Sequence, residues 1–281
     1  MNNNFTIFAQ NNENDYVKQA YLCALSIRTT NPNSKVCLIT NENVEEKYKQ
    51  VFDDIVDFPW GDHAADEEWK IHNRWKIYHA TPYKEGTAVI DSDMLVLQDL
   101  SSWFTFLEKY DLFFASKTYN YRGYEIKNSP YRTLFEKFQI PDLFCGFHYF
   151  TENELAHEFY TWMEMITNNH QLFYKNFAGG KTYQKGASMD VTAGITAKIL
   201  NCEEKITNNN VMYPSFTHMK SEVQGWKNRT STKWQDRLGV YMSEDLVLKI
   251  GNYKQDGIFH YTEKDFCNDR IIGLYEKHLG I

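Results

Sequence analysis

Apolar positions follow two different periods along the first hundred residues. Short runs rich in β-branched and aromatic residues predict strands. These runs are FTIFA (5–9), KVCLIT (35–40), IVDF (55–58) and TAVID (87–91). Between them, the spacing of apolar residues predicts helices over residues 16–28 and 67–80, the second ended by Thr81-Pro82. The charged run at 42–50 predicts a further helix. Strands that alternate with helices predict a largely parallel sheet with helices on its faces.

The order loosens after residue 93. Four further runs are strand-like, namely DLFFASK (111–117), LFCGFHYF (143–150), LVLKIG (246–251) and GIFHY (257–261). Two segments have helical spacing, residues 152–166 and 189–200. We therefore expect an α/β fold with a mixed, mostly parallel sheet.

Composition narrows the class of protein. The chain has 281 residues, with 42% hydrophobic and 24% charged, as soluble globular proteins do. Its net charge of -7 counts against a dedicated nucleic-acid binder. Five scattered cysteines without a Cys-x-x-Cys pair favour a reducing compartment. With no signal-like N-terminus and no apolar stretch of membrane-spanning length, we expect a cytoplasmic protein.

Two aspartates follow the strand-like run at residues 87–91. Ligands collect at the carboxyl ends of parallel strands, and a spacing of two places Asp91 and Asp93 on one side of the chain. Two carboxylates in such a place suit Mg²⁺ or Mn²⁺, which in turn can hold a diphosphate. A solvated turn is the alternative for an isolated Asp-x-Asp. The preceding apolar strand favours the metal site.

The architecture and this motif together resemble the GT-A glycosyltransferases, most closely the family 8 and glycogenin-like group. The segments that carry the resemblance are FTIFAQ (5–10), the helix at 16–27, the stretch leading into VIDSDMLVL (89–97), and HYTEK (260–264). The resemblance implies a single GT-A (Rossmann-like) domain over 1–281, with a C-terminal segment that closes the active site. Residues 1–120 would form the nucleotide-sugar-binding half, and residues 121–281 the acceptor half with the metal-site tail.

The resemblance also implies a complete metal site. Asp91 and Asp93 bind the ion, His260 is the third ligand and Lys264 contacts the diphosphate. Here GIFHYTEK has a shorter spacing than the family motif and lacks its glycine. An imidazole ligand favours Mn²⁺ over Mg²⁺. His218 is the alternative third ligand, since it lies in SFTHMK beside a lysine.

Contacts to the nucleotide sugar follow from the same resemblance. Ala9 and Tyr16 stand where the family holds the base, although Tyr16 also fits a core-facing helix position. Arg74 and Lys76 resemble the family's cationic residues near the donor, and we expect one of them to act. A solvated helix face is the alternative for both.

Three more positions are expected at the sugar. Ser92 lies between the two aspartates, and Gly146 in LFCGF keeps the family's glycine, which allows a sugar to approach closely. Asp190 matches the first aspartate of the family's Asp-Gln-Asp, whereas Val191 replaces the glutamine. Asp190 is thus our candidate catalytic residue, as a sugar contact or a general base, with a helix-terminal aspartate as the alternative. Inversion and retention both stay open.

The sequence therefore predicts a metal-dependent glycosyltransferase that uses a nucleotide sugar, most simply a UDP-sugar. The acceptor stays open among a glycan, a lipid-linked sugar, a protein and a modified base. A non-catalytic nucleotide-sugar or carbohydrate-binding module of the same fold is the alternative. A sugar nucleotidyltransferase is disfavoured because no glycine-rich loop follows the first strand. The P-loop, dinucleotide, zincin and α/β-hydrolase motifs are absent from the sequence.

Overall fold

A six-stranded sheet lies at the centre of the protein. The computed structural model describes residues 3–68, 70–127, 129, 132–179, 186–208, 214–220 and 233–281. The sheet has the order β3-β2-β1-β4-β8-β6. Its strands are β1 (Asn4–Phe8), β2 (Lys35–Ile39), β3 (Asp54–Val56), β4 (Thr87–Asp91), β6 (Leu112–Ala115) and β8 (Phe144–Phe150). Strands β1 to β4 are parallel, and β8 runs antiparallel to both β4 and β6.

Two smaller sheets complete the strands. One has the order β5-β13-β9-β7 and the other β10-β11-β12. Their strands are β5 (Met94–Val96), β7 (Thr118–Tyr119), β9 (Phe216–His218), β10 (Val240–Met242), β11 (Leu248–Ile250), β12 (Tyr253–Lys254) and β13 (Ile258–His260). Because β13 pairs with β5, the C-terminal part of the chain returns to the end of β4. The expected α/β class, with a C-terminal segment at the site, is confirmed.

Helices cover both faces of the central sheet. They are α1 (Tyr16–Thr30), α2 (Glu46–Lys49), α3 (Ile71–Arg74), α4 (Ile77–Ala80), α5 (Ser101–Leu107), α6 (Thr133–Phe138), α7 (Glu154–Asn168), α8 (His170–Phe177), α9 (Met189–Leu200), α10 (Glu203–Ile206) and α11 (Asp269–Leu279). Within the described ranges, no helix has the length and apolar character needed to cross a membrane.

The alternation of side chains along the strands sorts the core into two layers. Phe5 and Ile7 of β1 pack in one layer with α1, whereas Val89 of β4 packs in the other with α7 and α9. A period of two places neighbouring residues of a strand on opposite faces, so a strand covered on both faces is apolar throughout. This is why the runs in β1, β2 and β4 are mostly apolar; the buried exceptions, Thr6 of β1 and Thr87 of β4, form a hydrogen bond with each other.

Two predicted helices are shorter than the sequence suggested. The segment 67–80 was expected to be one helix, but helical structure begins only at Ile71 and forms the single turns α3 and α4. Lys70 has a φ of 53°, a left-handed conformation that no α-helix can include. The charged segment 42–50 likewise forms only the single turn α2. Charged residues at helical spacing gain little without an apolar face to bury.

Close packing fixes α9, which carries Asp190 in its first turn. A methyl group at Gly194 would meet the carbonyl oxygen of Pro141 at 2.6 Å and Ile140 at 2.7 Å. In contrast, a methyl group at Gly273 of α11 would meet no atom within 4 Å. The two helical glycines therefore form a matched pair.

We expect Gly194→Ala to destabilise the protein by about 1–3 kcal/mol, because the added methyl group overpacks against backbone. Gly273→Ala should instead stabilise it by up to about 1 kcal/mol through the better helix propensity of alanine. Urea denaturation monitored by circular dichroism gives both free energies of unfolding. An unchanged value for Gly194→Ala would mean that α9 can shift away from Pro141.

Candidate functional site

A cleft of about 350 Å³ opens where β1 and β4 end. Asp91 is the last residue of β4 and lies beside Phe8, the last residue of β1. Phe8, Gln10 and Asp91 all line the cleft. The carboxyl ends of parallel strands thus supply this wall, as expected for an α/β sheet. We call this space the aspartate cleft.

Asp93 reaches the aspartate cleft by a turn. Ser92 and Asp93 form a turn between β4 and β5, so the two aspartates are not on one extended strand. The chain then pairs with β13, with His260 opposite Met94. The N–H of Tyr261 donates to the carbonyl of Asp93 at 3.2 Å. Asp91 and Asp93 still converge, although the reason is the turn and its pairing with β13.

The carboxylate of Asp93 is buried between two basic groups. His260 Nε2 lies 3.0 Å from Asp93 Oδ1, and Lys264 Nζ lies 2.6 Å from Oδ2. Burial alone would raise the pKa of the Asp93 carboxyl, but His260 and Lys264 outweigh it and hold that pKa well below its usual range. Burial would also lower the pKa of Lys264, and Asp93 raises it instead. The contact therefore joins an ionised carboxylate to a charged ammonium group.

Asp91 pairs with the cation of Arg74 on one side and packs against Gly146 on the other. Arg74 of α3 donates to Asp91 Oδ1. On the other side, a methyl group at Gly146 would lie 3.0 Å from Asp91 Oδ2 and 2.7 Å from the end of Met94. Gly146 was expected to make room for a sugar, but it does not line the aspartate cleft. What approaches it in the structure is the side chain of Asp91.

The three predicted metal ligands form one group. One donor atom each from Asp91, Asp93 and His260 lies within 4.8 Å of the others. Nδ1 of His260 is buried without a hydrogen-bond partner among the described residues. Two hard carboxylates and one imidazole fit Mn²⁺, and also Mg²⁺ with a less favoured nitrogen ligand. In the structure, Arg74 and Lys264 supply positive charge at the two carboxylates.

Strained backbone links two of the predicted residues. Thr262, between His260 and Lys264, lines the aspartate cleft and has a φ of 60°. A β-branched residue in the left-handed region costs of order 1–3 kcal/mol, and such strain persists only where surrounding contacts impose it.

His218 lies behind His260 and outside the three-residue group. The strands β9 and β13 are parallel, with His218 opposite His260 and ring centroids 4.9 Å apart. Burial, followed by the neighbouring His260, lowers the pKa of His218 well below its usual range. Of the two histidines, the structure therefore places only His260 at both aspartates.

Four predicted residues do not line the aspartate cleft. Gly146 is described above. Ala9 is 1% exposed, and its N–H donates to the carbonyl of Ile39 in the sheet. Lys76 is fully buried, donates to the carbonyl of Gly61 and packs over Phe58. Of the Arg74 and Lys76 pair, only Arg74 reaches the site, because the side chain of Lys76 leaves the helical segment on another side.

Asp190 is the fourth. It lies in the first turn of α9, where Oδ1 accepts from the N–H of Cys145 at 2.9 Å and Oδ2 accepts from Arg132. The next residue in β8, Gly146, is the one that packs against Asp91. Asp190 is therefore anchored to the residue that precedes Gly146, the glycine packed against Asp91.

The other predicted residues do meet in the aspartate cleft, namely Tyr16, Arg74, Asp91, Ser92, Asp93, His260 and Lys264. Lys264 Nζ lies 4.7 Å from the centroid of the Tyr16 ring. Burial raises the pKa of the Tyr16 hydroxyl, which therefore stays neutral at physiological pH.

Sequence reasoning missed several polar residues of the same cleft, namely Gln10, Lys70, Lys220, Thr262 and Glu263. One signal was available for Lys220. Lys220 comes shortly after His218, just as Lys264 comes shortly after His260. Because β9 and β13 are parallel, both lysines lie beyond the same end of these strands. Gln10 gave no such signal, because its place depends on hydrogen bonds with Asp62 and with Asn73 of α3, both more than 50 residues away along the chain.

Comparison with known proteins identifies the fold. No protein-family model matches the chain, and no curated protein sequence matches it. Among solved structures, the galactosyltransferase LgtC in complex with donor and acceptor sugar analogues is similar, with a TM-score of 0.53 and 11% identity over 98% of this chain and 95% of that one. Mouse xyloside xylosyltransferase 1 in its apo form has a TM-score of 0.47 and 11% identity, over 94% and 98% of the two chains. The LgtC match shows that the chain has the GT-A fold.

We expect Asp93→Asn to destabilise the metal-free protein by about 3–5 kcal/mol, because it leaves Lys264 without its buried counterion. Asp265→Asn is the control, since Asp265 pairs with Lys233 at an exposed site, and we expect little change. Urea denaturation in the presence of a chelator measures both. Equal effects of the two substitutions would contradict the buried ion pair.

The pH dependence has a definite sign. The folded pKa of Asp93 is lower than its unfolded value of about 3.9, so the unfolded state binds the proton more readily. The stabilisation is present above about pH 4 and is lost as the pH falls through the folded pKa. The difference between the wild type and Asp93→Asn should therefore not shrink between pH 7 and pH 5. A decrease over that range would contradict a lowered pKa.

Proposed function

We propose that this protein is a metal-dependent glycosyltransferase that transfers a sugar from a nucleotide-sugar donor, most simply a UDP-sugar. One observation carries the proposal. Asp91, Asp93 and His260 converge at the carboxyl ends of the strands, in a cleft that also contains Arg74 and Lys264. Such a set of residues suits a divalent cation and a diphosphate together, in a chain with the GT-A fold.

The aspartate cleft is rich in cations. Lys70, Arg74, Lys220 and Lys264 line it, against the three carboxylates of Asp91, Asp93 and Glu263. We propose that Asp91, Asp93 and His260 hold Mn²⁺ or Mg²⁺. The bound ion would neutralise the charge that develops on the leaving diphosphate. Arg74 and Lys264 would then exchange their aspartate partners for diphosphate oxygens, with Lys220 beside them as a further cation.

The nucleoside is proposed to lie against Tyr16. This ring begins α1, lines the aspartate cleft and lies next to Lys264, so a base stacked on it would leave its diphosphate near the ammonium group. Gln10 lines the same wall and offers an amide to the base. Ala9 could contact the nucleoside only through its backbone. Lys76 is buried outside the aspartate cleft and is not part of the proposed donor site.

Asp190 is proposed to hold a hydroxyl of the transferred sugar. Each carboxylate oxygen already accepts one hydrogen bond and has capacity for another. If the reaction inverts the anomeric centre, Asp190 is also the candidate general base. If the reaction retains it, a leaving phosphate oxygen on the same face would take the proton instead. Ser92 lies at the aspartate cleft beside both aspartates and is proposed as a further donor contact.

The acceptor is proposed to be a glycan. The LgtC structure with which the chain shares its fold holds donor and acceptor sugar analogues. A modified base as acceptor has no support from this comparison. Residues 1–120 supply β1, β4 and the aspartate turn, and residues 121–281 supply β8, α9 and the His260 segment. We propose that this division separates donor binding from acceptor binding, with the metal site completed by the C-terminal segment.

A binding module without catalysis is the second candidate, and one observation favours it. Arg74 and Lys264 already balance Asp91 and Asp93, so the group needs no ion for charge neutrality. A protein that only binds nucleotide sugars could keep these ion pairs permanently. Metal dependence and turnover discriminate between the two functions.

We expect UDP to bind about 10–100-fold more weakly without Mn²⁺ than with it. The positive ion would offset the repulsion between the diphosphate of UDP and the carboxylates of Asp91 and Asp93. Asp93→Asn should abolish the effect of the metal. Calorimetric titration of UDP measures both, with Asp265→Asn as the control that keeps wild-type binding. Equal UDP affinity with and without Mn²⁺, in wild type and variant alike, would reject the metal-dependent function.

We expect Asp190→Asn to lower the hydrolysis of the preferred UDP-sugar by about a hundredfold or more, with UDP affinity unchanged. A panel of UDP-sugars without acceptor measures this by release of UDP. Asp53→Asn is a matched control, because Asp53 also accepts from an arginine, Arg28, and from a backbone N–H, that of Val36. Equal loss in the two variants would assign Asp190 a purely structural part, and hydrolysis absent from the wild type would favour the binding module.

A further inference from the structure

A second cavity, of about 620 Å³, lies next to the aspartate cleft and is larger than it. Its walls come from α6, from the segments before β7 and α6, and from the turn that leads into β8. The volume falls within the range of about 300–1,000 Å³ that is usual for ligand sites. We call it the α6 cavity. It contains none of the residues assigned above to the donor.

A buried arginine forms the inner wall of the α6 cavity. The side chain of Arg132 is 5% exposed, and its guanidinium lies 4.1 Å from the centroid of Phe135 and 3.8 Å from that of Phe144. It donates to Asp142 on the cavity wall and to Asp190 behind it. The residue that supports Asp190 therefore also shapes this cavity.

One polar group in the wall lacks a partner. Ser129 lines the α6 cavity and is 7% exposed, and its hydroxyl has no hydrogen-bond partner among the described residues. Buried hydroxyl groups are nearly always hydrogen-bonded, and exceptions call for an explanation such as a ligand or water. The oxygen itself is enclosed by the wall, so it meets a ligand hydroxyl group only after the Ser129 side chain rotates toward the cavity.

The charges of the wall limit the kind of ligand. Its carboxylates come from Glu125, Glu136, Asp142 and Glu203, and its cations from Lys117, Lys127 and Arg132. Arg132 is already paired with two aspartates, so the remaining charge disfavours an anionic ligand. Carboxylates and ammonium groups also make the wall unsuitable for a lipid chain. Neutral molecules rich in hydroxyl groups fit best, because such side chains both accept and donate hydrogen bonds.

The α6 cavity and the aspartate cleft share a wall of aromatic rings. Phe144 lines the cavity, and its ring centroid is 5.9 Å from that of His218. His218 in turn lies 4.9 Å from His260 of the aspartate cleft. A molecule in the cavity is therefore separated from the metal-ligand group by one layer of side chains.

We propose that the α6 cavity binds the part of a neutral oligosaccharide acceptor that does not react. This proposal rests on the proposed glycosyltransferase function, and it assigns the acceptor site to residues outside the donor cleft. The saccharide lies along α6, where Thr133 and Glu136 point from one face of the helix into the cavity, and Ser129 donates or accepts a hydrogen bond at its inner end.

Two substitutions, Thr133→Arg and Ser129→Ala, test the α6 cavity, and a third serves as the control. Thr133→Arg places a long side chain in it from an exposed helical position, so the fold should tolerate the change. Thr105→Arg on α5 is the matched control, because Thr105 is also exposed and helical but lines neither the α6 cavity nor the aspartate cleft. Ser129→Ala removes only the unpartnered hydroxyl.

The probe is a printed array of neutral and acidic oligosaccharides, and the fluorescently labelled proteins are applied with Mn²⁺ and UDP. We expect the wild type and Thr105→Arg to be retained on a set of neutral glycans, and Thr133→Arg to lose about tenfold or more of that apparent affinity. Ser129→Ala should show a smaller loss on the same glycans. Calorimetric UDP affinity should be the same for all four proteins.

Each other outcome has a definite meaning. Equal retention of Thr133→Arg and wild type would place the acceptor elsewhere and overturn the proposal, as would retention only on acidic glycans. No retention of any protein, with UDP binding intact, would also overturn it. Absence of UDP binding by the wild type would instead contradict the proposed donor site and the proposed function.

Discussion

The ion pair between Asp93 and Lys264, with His260 beside it, holds the candidate site together. It connects the turn after β4 with the segment after β13, residues far apart in the sequence. A buried carboxylate is costly unless basic groups compensate it, so the turn and the C-terminal segment must come together. The pairing of β5 with β13 and the left-handed Thr262 both serve this contact.

A second group of charges, centred on the buried Arg132, organises the neighbouring region. Arg132 joins Asp142 and Asp190, and through Asp190 it fixes the N–H of Cys145 at the start of β8. Gly146, the next residue, lets β8 approach Asp91. Cys145 and Gly146 are neighbours in β8, so the residues that support Asp190 and Asp91 are adjacent in the same strand.

The sequence predicted the central elements well because their signals are local. Continuous apolar runs gave β1, β2 and β4, and helical spacing gave α1, α7 and α9, whose bounds differ from the expectation by a few residues at most. The segment 67–80 was less predictable, since apolar spacing does not reveal that Lys70 has a left-handed conformation. For the site, seven of the predicted residues meet in the aspartate cleft, because the strand ends and the resemblance to the GT-A family pointed to the same edge.

The sequence by itself thus determined the α/β class, the position of Asp91 and Asp93 after a buried strand, and the basic and aromatic residues near them. The tertiary structure decided which groups share a space. It brings His260 rather than His218 to the two aspartates, and it brings Arg74, Gln10 and Lys220, but not Lys76, to the wall of the aspartate cleft. The physical reason is that a side chain's direction depends on strand register, turns and long-range hydrogen bonds, which residue types and spacing along the chain do not specify.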